Sequence, residues 1–250
     1  MAPPPLQKWK VLSKKNLTHN VIELKLEYPP NLKFRAGQYM SIVIPGAGPG
    51  GRNLRRAYSI ASPPEWPEIE ICFKVVDGGP GTTYLNRLEV GQTLEAQAPF
   101  GAFCINTVGN LPILFIGTGT GIAPLRAMVL SKEWQQRGLP NTLENELGFL
   151  LGVREEKDIL YPELFDDKKP PVLQNHPHVH IALSKPSKNW TGFQGRVTHY
   201  IKQMELDSLW NFEKSHYYLC GSGDMLAEIK KWLMDTKAVT KEQIHVEKYY

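Results

Sequence analysis

Apolar and polar residues alternate in short runs along the first hundred positions. NVIELKLEY (20–28), QYMSIVIP (38–45), RAYSIAS (56–62), EIEICFKVV (68–76) and QTLEAQAP (92–99) each read as a strand. Proline- or glycine-bearing turns separate them, and GTTYLNRL (81–88) interrupts them with helical spacing. The first ten residues, MAPPPLQKWK, read as a proline-stiffened lead-in with no apolar targeting segment. So many short strands in so little chain predict a small antiparallel barrel.

The rhythm then changes. LPILFIG (111–117), ELGFLLGV (146–153), HVHIALS (178–184) and SHYYLCG (215–221) are continuous apolar strands. Helical stretches near 122–137, 158–165, 195–204 and 223–236 alternate with them, and IHVEKY (244–249) closes the chain as a last short strand. Strands alternating with helices predict a parallel sheet with crossover helices. The expected fold is therefore two-domain: an N-terminal antiparallel β-barrel over 1–106, then an α/β domain with a parallel sheet over 107–250. The division falls in the weakly periodic stretch 102–112.

Composition narrows the function. No apolar window is long enough to span a membrane, so the expected location is the cytoplasm. Cys72, Cys104 and Cys220 are too few and too scattered for a zinc site, a cysteine-held cluster or a disulfide framework. Any redox chemistry then needs an organic cofactor. Residues 1–110 hold 12 Lys+Arg against 8 Asp+Glu, whereas the remainder holds 17 of each. The balanced second half argues against nucleic acid. The surplus in the first half, with Arg52, Arg55 and Arg56 close together, suits an acidic protein partner or a cofactor's phosphates.

The stretch FIGTGTGIAPLRAM (115–128) runs from strand through a glycine turn into a helix with Pro124 in its first turn. Such a turn offers backbone N–H groups to a phosphate; on glycines alone, a tight connection without ligand is the lesser alternative. It lacks the Lys-Ser/Thr ending of a P-loop and the third glycine of the standard dinucleotide fingerprint. Two later strands end at the same sheet edge. One supplies Ser184, Lys185 and Arg196, the other Cys220, Gly221 and Gly223. A crevice at that edge is where open α/β sheets bind ligands.

RAYS (56–59), GGPGTTYL (78–85), GTGTGIAP (117–124), CGSGDM (220–225) and the ending EKYY (247–250) together resemble the ferredoxin–NADP⁺ reductase superfamily. The five motifs follow the family's order and spacing over essentially the whole chain, and the two closing aromatics resemble its bacterial short forms. The resemblance implies FAD on the first domain and NADP(H) as substrate on the second. It implies Arg56 on the FAD pyrophosphate, Tyr58 against the isoalloxazine and Ser59 near the flavin's redox nitrogen. Gly81, Thr82 and Thr83 would meet the pyrophosphate at a helix start, with Ala57, Lys74 and Val75 as further flavin contacts. Glu247 corresponds to an active-site carboxylate. Of the two terminal aromatics, Tyr249 is assigned to the flavin's far face and Tyr250 to the adenine.

On the nucleotide side the resemblance implies Gly119, Thr120 and Gly121 at the pyrophosphate, with Cys220 and Gly221 beside the nicotinamide. Ser184, Lys185 and Arg196 are expected to read a 2′-phosphate, helped by Arg154, which favours NADPH over NADH. The implied reaction is hydride transfer from NADPH to the flavin, followed by one-electron delivery to ferredoxin or flavodoxin from a monomer. Alternatives are a reductase for a cytochrome or oxygenase, and a flavin-binding electron-transfer subunit without activity of its own.

Overall fold

A computed structural model describes residues 3–106, 111–135, 147–165 and 178–249. Tyr250, Glu146, residues 136–137 of the expected third-quarter helix and 107–110 of the expected boundary lie outside the described residues.

Six strands build the first sheet: β1 (Gln7–Asn16), β2 (Val21–Glu27), β3 (Tyr39–Ile44), β4 (Leu54–Ser59), β5 (Glu68–Lys74) and β6 (Thr93–Phe100). Their order is β4-β3-β6-β1-β2-β5, every pairing antiparallel, and a bridge between Ile60 and Ile71 brings the outer strands together as a barrel. Alternation explains the interior: Trp9, Val11, Leu24, Leu26, Met40, Ile42, Ile69 and Ile71 are buried together. The expected lead-in is in fact the start of β1. The prolines end at Pro5, and in the KWKV that follows only Trp9 and Val11 point inward. Because the backbone pairing toward β5 is limited to the Ile60–Ile71 bridge just beyond β4, the outer backbone edge of β4 has no strand partner along Leu54–Tyr58. Helix α1 (Pro80–Arg87) lies against that edge.

The second sheet contains β7 (Ile113–Thr118), β8 (Leu147–Val153), β9 (His178–Leu183), β10 (Phe193–Gln194), β11 (His216–Ser222) and β12 (Ile244–Tyr249). All run parallel in the order β10-β9-β8-β7-β11-β12. Strand order therefore reverses between β7 and β11. The helices are α2 (Ile122–Leu130), α3 (Lys132–Gln135), α4 (Val197–Leu206) and α5 (Gly223–Lys237). The expected 122–137 helix breaks at Ser131, which is extended; its hydroxyl accepts the Trp134 N–H and restarts the chain as α3. The expected 158–165 helix is instead two 3₁₀ turns, Glu156–Asp158 and Pro162–Leu164. Between them Tyr161 adopts a left-handed backbone (φ 52°) that no α-helix continues through.

Barrel and sheet share one apolar seam. Ala36, Ala61, Cys72 and Phe103 pack there with Phe115, Ile122, Leu125, Met128 and Tyr218.

Candidate active site

One end of the seam closes over a part-buried polar pair. Ser59, the last residue of β4, donates its hydroxyl to Glu247 Oε1 on β12, across 188 positions of chain. The parallel register of β11 and β12 sets Cys220 beside Glu247 and Ser222 beside Tyr249. Burial raises the Glu247 carboxyl above its ordinary range, against the pull of the Ser59 hydrogen bond. Burial likewise pushes the Cys220 thiol and the Tyr249 phenol well above their ordinary values. Cys220 is thus a neutral thiol wall and not a thiolate nucleophile. A hydroxyl held by a carboxyl group is suited to exchanging one proton with a ligand atom at the seam.

A second group forms at the open edge of β4. Helix α1 starts Gly79-Pro80-Gly81-Thr82, with no side-chain cap and no acidic residue in its first turn. Helix geometry leaves the N–H groups of Gly81 and Thr82 without intrahelical partners. A Cβ on Gly81 would lie 2.7 Å from the Tyr58 hydroxyl and 3.1 Å from Arg56 Cγ, so both side chains rest directly on the helix start. Phe73 holds the Tyr58 ring edge-on at 6.1 Å, and burial pushes its phenol up to about 12. Arg56, whose Nη1 donates to the Arg55 carbonyl at 2.9 Å, the Tyr58 phenol and a helix N-terminus lie together here, a donor set that fits a pyrophosphate. The Thr82 hydroxyl closes the loop instead, accepting the Val76 N–H at 3.1 Å, and Thr83 N–H donates to Gly79 O at 2.9 Å. Ala57 is exposed beside Arg56, and half-buried Val75 donates its N–H to Asn20 O at 2.8 Å.

The glycine turn sits where strand order reverses. A Cβ on Gly121 would lie 2.3 Å from Cys220 O, and one on Gly221 would lie 2.1 Å from Thr118 Oγ1. Thr118 Oγ1 accepts the Ser222 N–H at 3.2 Å, tying the ends of β7 and β11 together. These two glycines serve close strand approach. Gly119 differs: its φ is +53° and a Cβ there would meet nothing within 4 Å. It presents bare backbone to open space, as a phosphate site requires.

Two hollows flank this turn. One, of about 320 Å³, is bordered by Thr118, Ser184, Arg196, Ser222, Asp224 and Glu228. Arg196 occupies the N-cap of α4, where a cation opposes the helix dipole. Lys202 pairs with Glu228 at 3.0 Å and holds its carboxyl below the ordinary range. The other, of about 500 Å³, opens between barrel and sheet, bordered by Asn20, Lys74, Gly119, Thr120, Arg154 and Lys157. Exposed Lys185 donates its N–H to Arg154 O at 2.8 Å, joining the ends of β9 and β8. Arg154 lies 4.0 Å from the carboxylate of neighbouring Glu155.

The predicted residues therefore gather into groups. Ser59, Cys220, Glu247 and Tyr249 meet at the seam; Arg56, Tyr58 and Gly81 meet at α1; Ser184 and Arg196 share one hollow. Lys74, expected with the flavin contacts, faces Gly119, Thr120 and Arg154. Thr118, Asp224, Glu228 and the β1–β2 turn at Asn20 border the hollows without having been singled out. Thr118 had a signal, because it stands inside the glycine motif itself.

Sequence comparison agrees with this geometry. Residues 8–105 match the oxidoreductase FAD-binding domain model and residues 115–231 the oxidoreductase NAD-binding domain model. The chain is 33% identical over 221 residues to ferredoxin–NADP reductase B of Sorangium cellulosum, covering 86% of this chain and 85% of that one. It is 28% identical over 233 residues to the phenol 2-monooxygenase reductase component DmpP of Pseudomonas sp., covering 92% of this chain but only 61% of that longer protein. Among solved structures, a ferredoxin NADP⁺ reductase from Neisseria gonorrhoeae with bound FAD and NADP superposes with a TM-score of 0.81. That match has 18% identity over 98% of this chain and 99% of that one, a likeness of fold. The FAD-binding barrel, the nucleotide-binding parallel sheet and these relatives lead to one conclusion: the chain belongs to the ferredoxin–NADP⁺ reductase family of FAD- and NAD(P)H-dependent oxidoreductases.

Proposed function

We propose that the protein moves electrons between NADPH and a one-electron carrier protein, ferredoxin or flavodoxin, acting as a monomer. Residues 1–106 hold the FAD and residues 107–250 the nucleotide. Bound flavin supplies the conversion between a two-electron hydride and single electrons. Arg56 and the start of α1, with Gly81, Thr82 and Thr83, take the FAD pyrophosphate, and Tyr58 packs against the ring. Ala57 and Val75 line the same face. Ser59 and Glu247 hold the proton that accompanies reduction, and Cys220 with Gly221 walls the nicotinamide. The amides of Gly119, Thr120 and Gly121 meet the nucleotide pyrophosphate, with Lys74 and Arg154 alongside. Ser184, Lys185 and Arg196 read the 2′-phosphate. Tyr249, folded against the seam, covers the nicotinamide position and yields it during turnover.

The hydrogen bond from Ser59 to Glu247 carries this reading, because it joins the flavin barrel to the nucleotide sheet at the proposed point of transfer. The name of the 33% identical relative and the cationic surplus of the first half support the acidic carrier. The likeness to a phenol 2-monooxygenase reductase component favours a second reading, delivery to an oxygenase. Initial rates with NADPH and NADH, measured against ferredoxin, flavodoxin and an oxygenase component over a salt series, separate the two. The expected result is NADPH-driven reduction of ferredoxin or flavodoxin that weakens as salt screens the encounter. Salt-independent, NADH-driven reduction of the oxygenase component would overturn both the nucleotide and the acceptor assignments.

A further inference from the structure

Helix α2 is apolar along its length except at one position. In IAPLRAMVL only Arg126 is charged, and it is buried. Its guanidinium leaves the sheet half and enters the barrel. Nη1 donates to the Ala61 carbonyl at 2.8 Å and to Glu70 Oε2 at 2.7 Å. The Trp66 ring of the barrel lies 5.0 Å from the guanidinium carbon, and the Tyr161 ring of the sheet half 4.1 Å. Two aromatic rings and two oxygens from opposite sides of the seam thus grip one planar cation, a role that suits a guanidinium and not an ammonium.

Glu70 has a second cation besides Arg126, whose charge also bears on the buried Glu23 carboxylate. Lys25, from β2, already stands 2.9 Å from Glu70 Oε1. What Arg126 adds is a bond between the two elements that carry the site. It lies five residues beyond Gly121, about 7 Å along the helix. Ala61 lies two residues beyond Ser59, about 7 Å along the chain. We propose that Arg126 is a positioning residue: by docking α2 onto the β4–β5 end of the barrel, it sets where the nucleotide turn stands relative to Ser59, and hence the nicotinamide relative to the flavin. This rests on the function proposed above.

The test uses the full-length, FAD-loaded protein as native, Arg126→Met and Arg126→Lys. Flavin content, NADP⁺ affinity by flavin spectral titration and the single-turnover rate of flavin reduction by NADPH are compared. Arg126→Met is expected to keep flavin content and NADP⁺ affinity, while reduction slows by about 10- to 100-fold, the scale set by a misplacement near 1 Å. Arg126→Lys, which keeps the charge but not the planar group between the Trp66 and Tyr161 rings, is expected to recover part of that rate. A merely structural residue would lower thermal stability and leave the reduction rate per bound flavin unchanged; that result overturns the proposal. Should Arg126→Met not fold, Arg126→Lys decides alone, a slowed rate supporting the proposal and a native rate overturning it. If NADPH leaves even the native flavin oxidised, the functional reading falls and this proposal with it. A native rate in the variants sinks this proposal only.

Discussion

Helices α1 and α2 both open on glycines, and they are built for opposite tolerances. Helix α1 lies on the barrel surface with only Gly81 and Leu85 buried, whereas α2 is buried from Ile122 to Val129. The atoms nearest a Cβ at Gly81 belong to side chains, the Tyr58 hydroxyl and Arg56 Cγ. Those nearest a Cβ at Gly121 belong to backbone, the Cys220 carbonyl and Gly221 Cα. Side chains can rotate to admit a ligand or a methyl group; a strand end inside a six-stranded sheet cannot. The flavin-side helix start is therefore adaptable, and the nucleotide-side turn is fixed by the sheet.

The largest expected effect tests the rigid half of that contrast. Gly121→Ala places a methyl group 2.3 Å from a backbone oxygen, so β7 and β11 must part at their ends. Overpacking of this kind costs about 1–3 kcal/mol, and calorimetry is expected to show Tm several degrees lower with NADP⁺ affinity reduced. An unchanged Tm would break the contrast.

Gly81→Ala tests the adaptable half and has a smaller effect. Tyr58 and Arg56 swing aside, so stability changes by less than about 1 kcal/mol. The displaced donors weaken the flavin site, and FAD affinity by fluorescence titration is expected to fall roughly tenfold, about 1.4 kcal/mol. A Tm loss as large as that of Gly121→Ala would show α1 to be equally rigid.

The smallest effect concerns the seam between the two helices. Burial raises Glu247's folded-state pKa above its ordinary 4.5, so the native state holds this proton more tightly than the unfolded chain. The stabilisation is complete below the unfolded pKa and is lost as pH rises through the higher folded one. Glu247→Gln keeps a hydrogen-bonding partner for Ser59 without a charge. In flavin-free protein its stability relative to native should rise between pH 4.5 and neutrality. A difference independent of pH would show that Glu247 ionises as freely as in water.

Much of this architecture is legible from local pattern, and the exceptions have physical causes. Alternating or short apolar runs mark β2, β3, β5 and β6, and continuous apolar runs mark β7, β8 and β11, because parallel strands are covered on both faces. Strand β1 hides behind the prolines that precede it, although Trp9 and Val11 already alternate with lysines. The break at Ser131 depends on a hydroxyl capping the next turn, a choice that helix propensity does not reveal. The glycine turn was legible from its strand–turn–helix context, yet the division of labour among its glycines was not. The approach of β11 and the backbone angle distinguish Gly121 from Gly119. Ser59 and Glu247 came from motif resemblance, since no local rule pairs residues 188 positions apart. Arg126 left a readable trace: a lone cation in a wholly apolar helix requires a buried partner.

In the function proposed above, a flavin held by the barrel receives a hydride from a nucleotide held by the parallel sheet, across the Ser59–Glu247 contact. Anaerobic addition of one equivalent of NADPH to the FAD-loaded protein tests it most directly. The visible absorbance of the oxidised flavin is expected to bleach within the mixing experiment, in proportion to NADPH consumed. Flavin that stays yellow with NADPH and NADH alike, yet bleaches with dithionite, would contradict it.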